Sequence, residues 1–133
     1  MAKPSTFAKL LMFVLLTLVQ WIAHAEVLVG RVVGVSDGDT ITVLDDKKQR
    51  HVIRLMGIDA PEKAQAFGQK AKESLSDLIF GKDVSVTWFK RDRYGRTVGQ
   101  VRIGDTDVCL EQIKRGMAWL QHETMHVSQK RSD

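Results

Sequence analysis

Charged side chains cluster in three short segments of this 133-residue sequence. The segments are Asp37-Gly38-Asp39-Thr40, Arg54-Leu55-Met56-Gly57-Ile58-Asp59-Ala60-Pro61-Glu62 and Asp92-Arg93-Tyr94-Gly95-Arg96. The carboxylates of Asp39 and Asp59 are the kind of ligand that a hard divalent cation such as Ca²⁺ prefers. Glu62 can transfer a proton, and the guanidinium groups of Arg54 and Arg96 can hold a phosphate through paired hydrogen bonds. Together these side chains supply what metal-assisted phosphodiester hydrolysis requires.

Each segment taken alone also has a purely structural explanation. Asp37-Gly38 can be an ordinary turn, because Asp-Gly is among the commonest turn dipeptides. Pro61-Glu62 can simply begin a helix, where the Glu62 carboxylate would be stabilised by the helix dipole. The segment from Arg93 to Arg96 can be a solvated hairpin. The chemical interpretation therefore depends on the combination of the three segments.

The pattern of apolar residues predicts the elements that must position these side chains. Alternating and β-branched runs predict strands at Val27–Val35, Thr40–Leu44, His51–Ile58, Asp83–Lys90 and Arg96–Ile103, with a first turn at Ser36–Gly38. An apolar stripe predicts a helix from Pro61 to a C-cap at Gly81, formed by Ala64, Phe67, Ala71, Leu75 and Leu78. A second stripe, of Leu110, Ile113 and Met117, predicts a helix over Val108–Leu120. The order predicts an OB-fold, a five-stranded Greek-key barrel with a helix between strands three and four and a C-terminal helix.

The spacing of Arg54 and Asp59 raises a geometric question. Side chains five residues apart on a regular strand point to opposite faces of the sheet. For the two to meet, either Gly57 must introduce a bulge that re-aims Asp59, or strong barrel curvature must bring them together.

We expect residues 1–25 to be a cleaved signal peptide. Lys3 and Lys9 precede the ten-residue apolar run Leu10–Val19, and Ala23-His24-Ala25 places small residues where a signal peptidase cuts. An uncleaved anchor is disfavoured, because a membrane span needs roughly 18 to 20 apolar residues. The leader predicts a secreted or periplasmic protein without stable membrane association. Residues 26–122 would then form the folded domain and residues 123–133 a polar tail.

Charge and cysteine content place weaker limits on function. Removal of the leader would take away two lysines and lower the formal charge from +4 to +2. A mildly basic surface is compatible with a nucleic acid substrate but does not establish one. Cys109 is the sole cysteine in the sequence, so no intrachain disulfide can form, and we expect it to be a small core residue. No obligate protein partner is inferred.

The three segments resemble the two signatures of the thermonuclease family, the staphylococcal-nuclease-like calcium-dependent nucleases. The first signature runs from Asp37 through Arg54-Leu55 to Glu62, and the second runs from Asp92 to Val101. The similarity extends from about Val27 to Trp119. It implies an OB barrel that hydrolyses DNA or RNA as an endonuclease and leaves 3′-phosphate products.

The resemblance also implies a role for each site residue. Asp39, Asp59 and the main-chain oxygen of Ala60 would bind Ca²⁺, and Glu62 would be the general base or would position the water. Arg54 and Arg96 would bind the scissile phosphate and stabilise its transition state. Tyr94, with the neighbouring Arg93, would bind the nucleotide. Ala60 stands where the best-known member has Thr, a change that a main-chain ligand tolerates.

Two further features bear on function. Family members continue past Gly116-Met117-Ala118-Trp119 into aromatic residues and another helix, whereas this sequence continues as Leu120-Gln121-His122-Glu123. His122-Glu123-Thr124-Met125-His126 matches the zinc-protease pattern H-E-x-x-H, but only seven residues follow to supply a third ligand, which disfavours that activity. A catalytically silent OB module that binds single strands remains the alternative to the nuclease.

Overall fold

A five-stranded barrel is the centre of the structure, a computed structural model that describes residues 3–18 and 24–121. In chain order the elements are α1 (Thr6–Leu18), β1 (Glu26–Asp37), β2 (Thr40–Leu44), β3 (Arg50–Leu55), β4 (Ile58–Asp59), α2 (Gly68–Ile79), β5 (Asp83–Arg91), β6 (Thr97–Ile103), β7 (Thr106–Asp107), α3 (Val108–Lys114) and β8 (Trp119–Leu120).

The barrel closes through one parallel pairing. Antiparallel pairs join the strands in the order β3-β2-β1-β5-β6, and β3 then pairs in parallel with β6. Helix α2 lies between the third and fourth barrel strands, and α3 follows the fifth. This arrangement is the predicted OB-fold, so the fold-class prediction is confirmed.

Alternation along the strands fills the barrel with aliphatic side chains. Residues of β2, for example, alternate so that Ile41 and Val43 are fully buried while Thr42 and Leu44 are only partly buried. The core also contains one face of each of the helices α2 and α3. Its members are Val32, Ile41, Val43, Ile53, Leu55, Ile58, Ala60, Ala71, Leu75, Ile79, Val84, Val86, Val101, Val108, Cys109 and Ala118. Cys109 is buried, as expected.

Helix α2 begins later than the sequence predicts. Residues 61–67 form turns, and the helix starts only at Gly68. Phe67 has a left-handed conformation, with φ of 62°, and a side chain that is 69% exposed. The turns bring the Gly68 backbone so close to the main-chain oxygen of Glu62 that a Cβ atom could not fit between them. The predicted start at Pro61 is therefore wrong, because this tight packing holds the segment in turns.

Helix α3 is shorter than predicted, and the residues that it buries differ from those of the predicted apolar stripe. It ends at Lys114, and Leu120 belongs to β8 instead. Val108, Cys109 and Gln112 are its buried residues, whereas Leu110 is 48% exposed. The helix has only seven residues, fewer than periodicity needs to fix which face is buried.

The hairpin that joins β1 and β2 is also tighter than predicted. Strand β1 continues through Ser36 to Asp37, which pairs with Thr40, so the turn consists of Gly38 and Asp39 and not of Ser36–Gly38. Register shifts in β1 on either side of Gly34 and Val35 let the strand bend around the barrel. One carboxylate of the first segment therefore lies in the turn itself.

The expected leader contains α1, whose 13 residues include the predicted apolar run as far as Leu18. Within the described residues, no helix has the length and apolar character needed to cross a membrane.

Candidate active site

The first carboxylate is fixed by the β1–β2 turn. Asp39 is only 8% exposed. Its Oδ1 accepts a hydrogen bond from the Thr40 hydroxyl at 2.9 Å, and its Oδ2 accepts one from the main-chain nitrogen of Ala60 at 3.0 Å. The second contact joins residues 21 positions apart. It therefore ties the turn to the segment that contains Asp59 and Ala60.

Arg54 lies at the centre of the charged cluster. Its Cα pairs with Thr40 across β2 and β3, which brings it beside the Asp39 turn. Nη1 donates to the main-chain oxygens of Leu55 and Ile58, each at 2.7 Å. Nη2 pairs with Asp39 Oδ2 at 3.3 Å and also with Asp59 Oδ1. One nitrogen thus bridges both carboxylates, with 13% of the arginine side chain exposed.

A turn between β3 and β4 explains how Arg54 and Asp59 meet. The strand ends at Leu55, and the chain turns through Met56 and Gly57 before β4 begins. Gly57 has a φ of 78°, a conformation that glycine adopts without steric cost. Of the two expected alternatives, a bulge at Gly57 or strong barrel curvature, the change of chain direction does occur at Gly57. It is a turn between two strands, however, and not a bulge within one strand.

The carboxylate pair suits a hard cation in its chemistry. Ca²⁺ takes carboxylate, carbonyl and water oxygens as ligands. Asp39 and Asp59 both contact the same nitrogen of Arg54, and Ala60 directly follows Asp59 in the chain. Across residues 3–18 and 24–121, no three acidic, histidine or cysteine side chains are grouped closely enough to hold a metal ion. The two carboxylates would thus need the carbonyl, water or a phosphate oxygen to complete a coordination shell.

Glu62 lies in the turns that precede α2. Its main-chain nitrogen donates to Gln65 Oε1 at 2.7 Å, and its main-chain oxygen accepts from the nitrogen of Gln65 at 2.8 Å. The next residue, Lys63, donates its main-chain nitrogen to Asp37 Oδ1 at 3.1 Å. These contacts fix the backbone and leave the Glu62 side chain exposed beside the cavity.

Asp92 organises the β5–β6 turn that contains Arg96. Its Oδ1 accepts from the main-chain nitrogens of Tyr94 and Arg96, both at 2.9 Å, and its Oδ2 accepts from Arg96 Nε at 2.7 Å. Desolvation acts to raise the pKa of Asp92, but these hydrogen bonds and the Arg96 charge outweigh it and hold the pKa below its usual value. In the described hydrogen bonds of Arg96, the main-chain nitrogen and Nε donate to Asp92, and the main-chain oxygen accepts from the Asp92 nitrogen. Neither Nη nitrogen takes part in these bonds, so both can donate to a ligand.

Tyr94 presents an exposed ring beside Arg96. The ring is 67% exposed, and the guanidinium carbons of Arg93 and Arg96 lie 4.8 and 5.3 Å from its centre. Arg93 Nη2 also donates to the Tyr94 hydroxyl at 2.7 Å. These two cation–π contacts hold the tyrosine at the turn.

The charged side chains of the three segments meet, together with Tyr94, at one cavity of about 570 Å³. The parallel pairing of β3 and β6 brings the two halves together, because it sets Ile53 opposite Thr97 and Arg54 opposite Val98. The predicted site residues that line the cavity are Asp39, Arg54, Asp59, Ala60, Glu62, Arg93, Tyr94 and Arg96. The structure therefore brings together every residue that the sequence singled out for the site.

Sequence reasoning misses several residues at or behind the cavity, among them Asp92, Trp119 and Gln112. The second signature includes Asp92 but assigns it no role, although aspartate at the start of a turn suggests an Asx-type turn. In the sequence Trp119 only marks the end of the family resemblance, whereas in the structure it lines the cavity with 54% of its surface exposed. Gln112 is fully buried behind the Gly38–Asp39 turn, and nothing in the sequence pattern indicated this.

The H-E-x-x-H segment, His122 to His126, lies outside the described residues, as does the predicted polar tail. The expectations about both therefore stay predictions.

Comparisons with known proteins agree with this arrangement. The family model described as Staphylococcal nuclease homologue matches residues 52–133. Relatives include a Haemophilus influenzae protein named as an uncharacterized endonuclease, 47% identical over 72% of this chain and 54% of its own length. An Escherichia coli protein of the same description is 47% identical over 71% of this chain and 61% of its own. A Shigella flexneri protein named micrococcal nuclease is 43% identical over 68% of this chain and 56% of its own length.

The chain spans between about half and three-fifths of the length of these relatives. The family model itself covers more than half of this sequence. With the OB barrel and the convergent cavity, this match shows that the chain belongs to the family of staphylococcal nuclease homologues.

Proposed function

We propose that this protein is an exported, Ca²⁺-dependent endonuclease that hydrolyses phosphodiester bonds of DNA or RNA and leaves 3′-phosphate products. The observation that carries the proposal is the bridge from one Arg54 nitrogen to both Asp39 and Asp59, in the same cavity as Glu62 and Arg96. The nuclease and endonuclease names of the relatives support it.

Asp39, Asp59 and the main-chain oxygen of Ala60 would hold the ion. When bound, Ca²⁺ would supply Lewis-acid stabilisation of the charge that develops on the phosphate oxygens. The protein contributes the rigidity of the ligand set, since Thr40 and the main chain of Ala60 fix the Asp39 carboxylate. Preorganised ligands do not have to reorient during the reaction.

Arg54 and Arg96 would hold the phosphate from two sides. Arg54 is oriented by two main-chain oxygens, and Arg96 is oriented by Asp92. Both guanidinium groups are therefore positioned before substrate arrives, which is the condition for strong transition-state stabilisation.

Glu62 would accept the proton of the attacking water. The water oxygen forms a bond to phosphorus, the bond from phosphorus to the 5′ oxygen breaks, and the leaving oxygen takes a proton from solvent. An exposed carboxylate at the edge of the cavity can receive the proton and release it to bulk water.

Plasmid nicking by the full chain tests the proposal, with Ca²⁺ and then with a chelator in excess. We expect cleavage that requires Ca²⁺. Arg54→Ala and Arg96→Ala should each lower the rate about 10²- to 10³-fold, the usual effect of removing one transition-state donor. Arg102→Ala is the matched control, because Arg102 is an exposed arginine of β6 that does not line the cavity.

Cleavage that survives the chelator would refute the metal role, and a near-normal rate in either site variant would remove that arginine from the mechanism. Binding of nucleic acid without any cleavage would favour the silent OB module instead. Product analysis by end-labelling distinguishes 3′-phosphate from 5′-phosphate ends.

Export is proposed from the leader alone. We propose that residues 1–25 are removed and that the protein acts in the periplasm or outside the cell. Expression of the full chain in a bacterium, followed by fractionation and mass measurement, should give an exported product that begins at Glu26. A full-length product retained inside the cell would contradict this.

A further inference from the structure

Trp119 forms an aromatic wall of the cavity that neither the family match nor the site motifs assign. It lies on β8, which pairs antiparallel with β4 so that the Cα atoms of Trp119 and Asp59 are partners. Directly paired residues of antiparallel strands project to the same face. The indole is therefore a neighbour of the carboxylate that Arg54 bridges, and both residues line the cavity.

The position of Trp119 is set by backbone contacts on both sides. The β4–β8 pair holds Trp119 itself, and the main-chain nitrogen of Gln121 donates to the oxygen of Gly57 at 2.9 Å. The indole nevertheless remains 54% exposed. An aromatic ring beside charged groups offers a ligand an apolar face next to an ionic contact.

Tyr94 provides the second aromatic surface of the same cavity. It is attached to the β5–β6 turn, next to Arg96, whereas Trp119 is attached to β8, next to Asp59. The two rings thus come from separate elements and accompany separate parts of the charged centre. Aromatic side chains around a phosphate-binding centre are how proteins hold unpaired nucleobases.

We propose that Trp119 is a nucleobase-stacking platform, which takes a base next to the Asp59 side of the cavity. The inference rests on the proposed function for its substrate class, and it adds a second base subsite to it. An unpaired base can stack on the indole while its phosphate reaches Arg54. The substrate would therefore have two aromatic contacts in the cavity, one at Tyr94 and one at Trp119.

The test measures binding of a labelled single-stranded thymidine oligonucleotide in the presence of Ca²⁺. The full chain carries Glu62→Gln to stop turnover. Trp119→Ala should weaken binding about tenfold, within the range reported for loss of one base–aromatic stack. Trp119→Phe should restore most of the affinity. Leu120→Ala is the matched control, because Leu120 is 70% exposed on the same strand but does not line the cavity.

An oligonucleotide with one abasic position separates stacking from a structural effect. If the missing base is the one that stacks on Trp119, the abasic strand should bind the protein that retains Trp119 about as weakly as the intact strand binds Trp119→Ala. In Trp119→Ala itself, the abasic and intact strands should bind with nearly the same affinity. If Trp119→Ala weakened binding of the intact strand and of the abasic strand by the same factor, the inference would be overturned. It would also be overturned if Trp119→Ala left the affinity for the intact strand unchanged. If the protein with Glu62 binds in this Trp119-dependent way but cleaves nothing, the proposed function fails and the base subsite stands.

Discussion

Replacement of Gln112 by leucine should destabilise the protein and loosen the Asp39 turn. Gln112 is fully buried. Its Nε2 donates to the main-chain oxygens of Gly38 at 3.0 Å and Ala71 at 3.1 Å, and its Oε1 accepts from the Ser74 hydroxyl at 2.7 Å. A single amide therefore connects α3, α2 and the turn that contains the first carboxylate.

The size of the loss follows from those three contacts. Leucine has a similar volume, so the main change is the loss of polar partners. A buried group left without its partner costs about 1–3 kcal/mol. Ala71 lies within α2 and keeps its place in the helical hydrogen-bond pattern, whereas Gly38 lies in a turn. We therefore expect the free energy of unfolding to fall by about 2–4 kcal/mol, which most domains of this size survive.

Ser74→Ala is the matched control, since it removes only the contact to Oε1 and should cost about 1 kcal/mol. Urea unfolding measures stability, and titration with Ca²⁺ measures the site. Gln112→Leu should weaken Ca²⁺ binding because Gly38 adjoins Asp39, whereas Ser74→Ala should not. A loss in the leucine variant no larger than in the alanine variant, with unchanged Ca²⁺ affinity, would refute the reasoning.

Three other outcomes are expected. Gly68→Ala should reduce both stability and the cleavage rate, because the added Cβ would displace the backbone of Glu62. The control Gly104→Ala should only lower the urea midpoint slightly. Equal cleavage rates in the two variants would contradict this. Burial raises the pKa of Cys109 to about 11, so a thiol reagent at pH 8 should label it only after unfolding, and rapid labelling of the native protein would count against the packing. The lowered pKa of Asp92 implies stability that is complete above its ordinary value of 3.8 and is lost as pH falls through the lower folded value; the urea-midpoint difference between wild type and Asp92→Asn should shrink in that acid range.

Much of the barrel and the identity of the site residues follow from the sequence because they depend on local patterns. Alternation in β2 predicts its strand, since each residue has a core face and an outer face. Helix boundaries depend instead on tertiary contacts. The apolar spacing of Phe67 agrees with a helix, but the packing of Gly68 against the backbone of Glu62 holds this segment in turns.

The polar supports of the site are the part that sequence cannot supply. Gln112 lies among apolar residues of a short helix, and its amide gains partners only when α2 and the β1–β2 turn pack around it. Trp119 becomes part of the cavity only through the pairing of β8 with β4. Both depend on contacts between segments far apart in the chain, which no local spacing records.

The charges of the centre suggest why cation and substrate would bind together. Arg54 offsets one of the two negative charges of Asp39 and Asp59, and Asp92 offsets Arg96. The group formed by Asp39, Asp59 and Arg54 thus has one excess negative charge, which disfavours a phosphodiester directly beside the two carboxylates. Binding of a divalent cation would reverse that sign and free Arg54 from part of its attraction to the carboxylates. Since such coupling is reciprocal, phosphate bound at Arg54 would in turn strengthen cation binding. Arg54, which offsets part of the carboxylate charge, would then also hold the substrate.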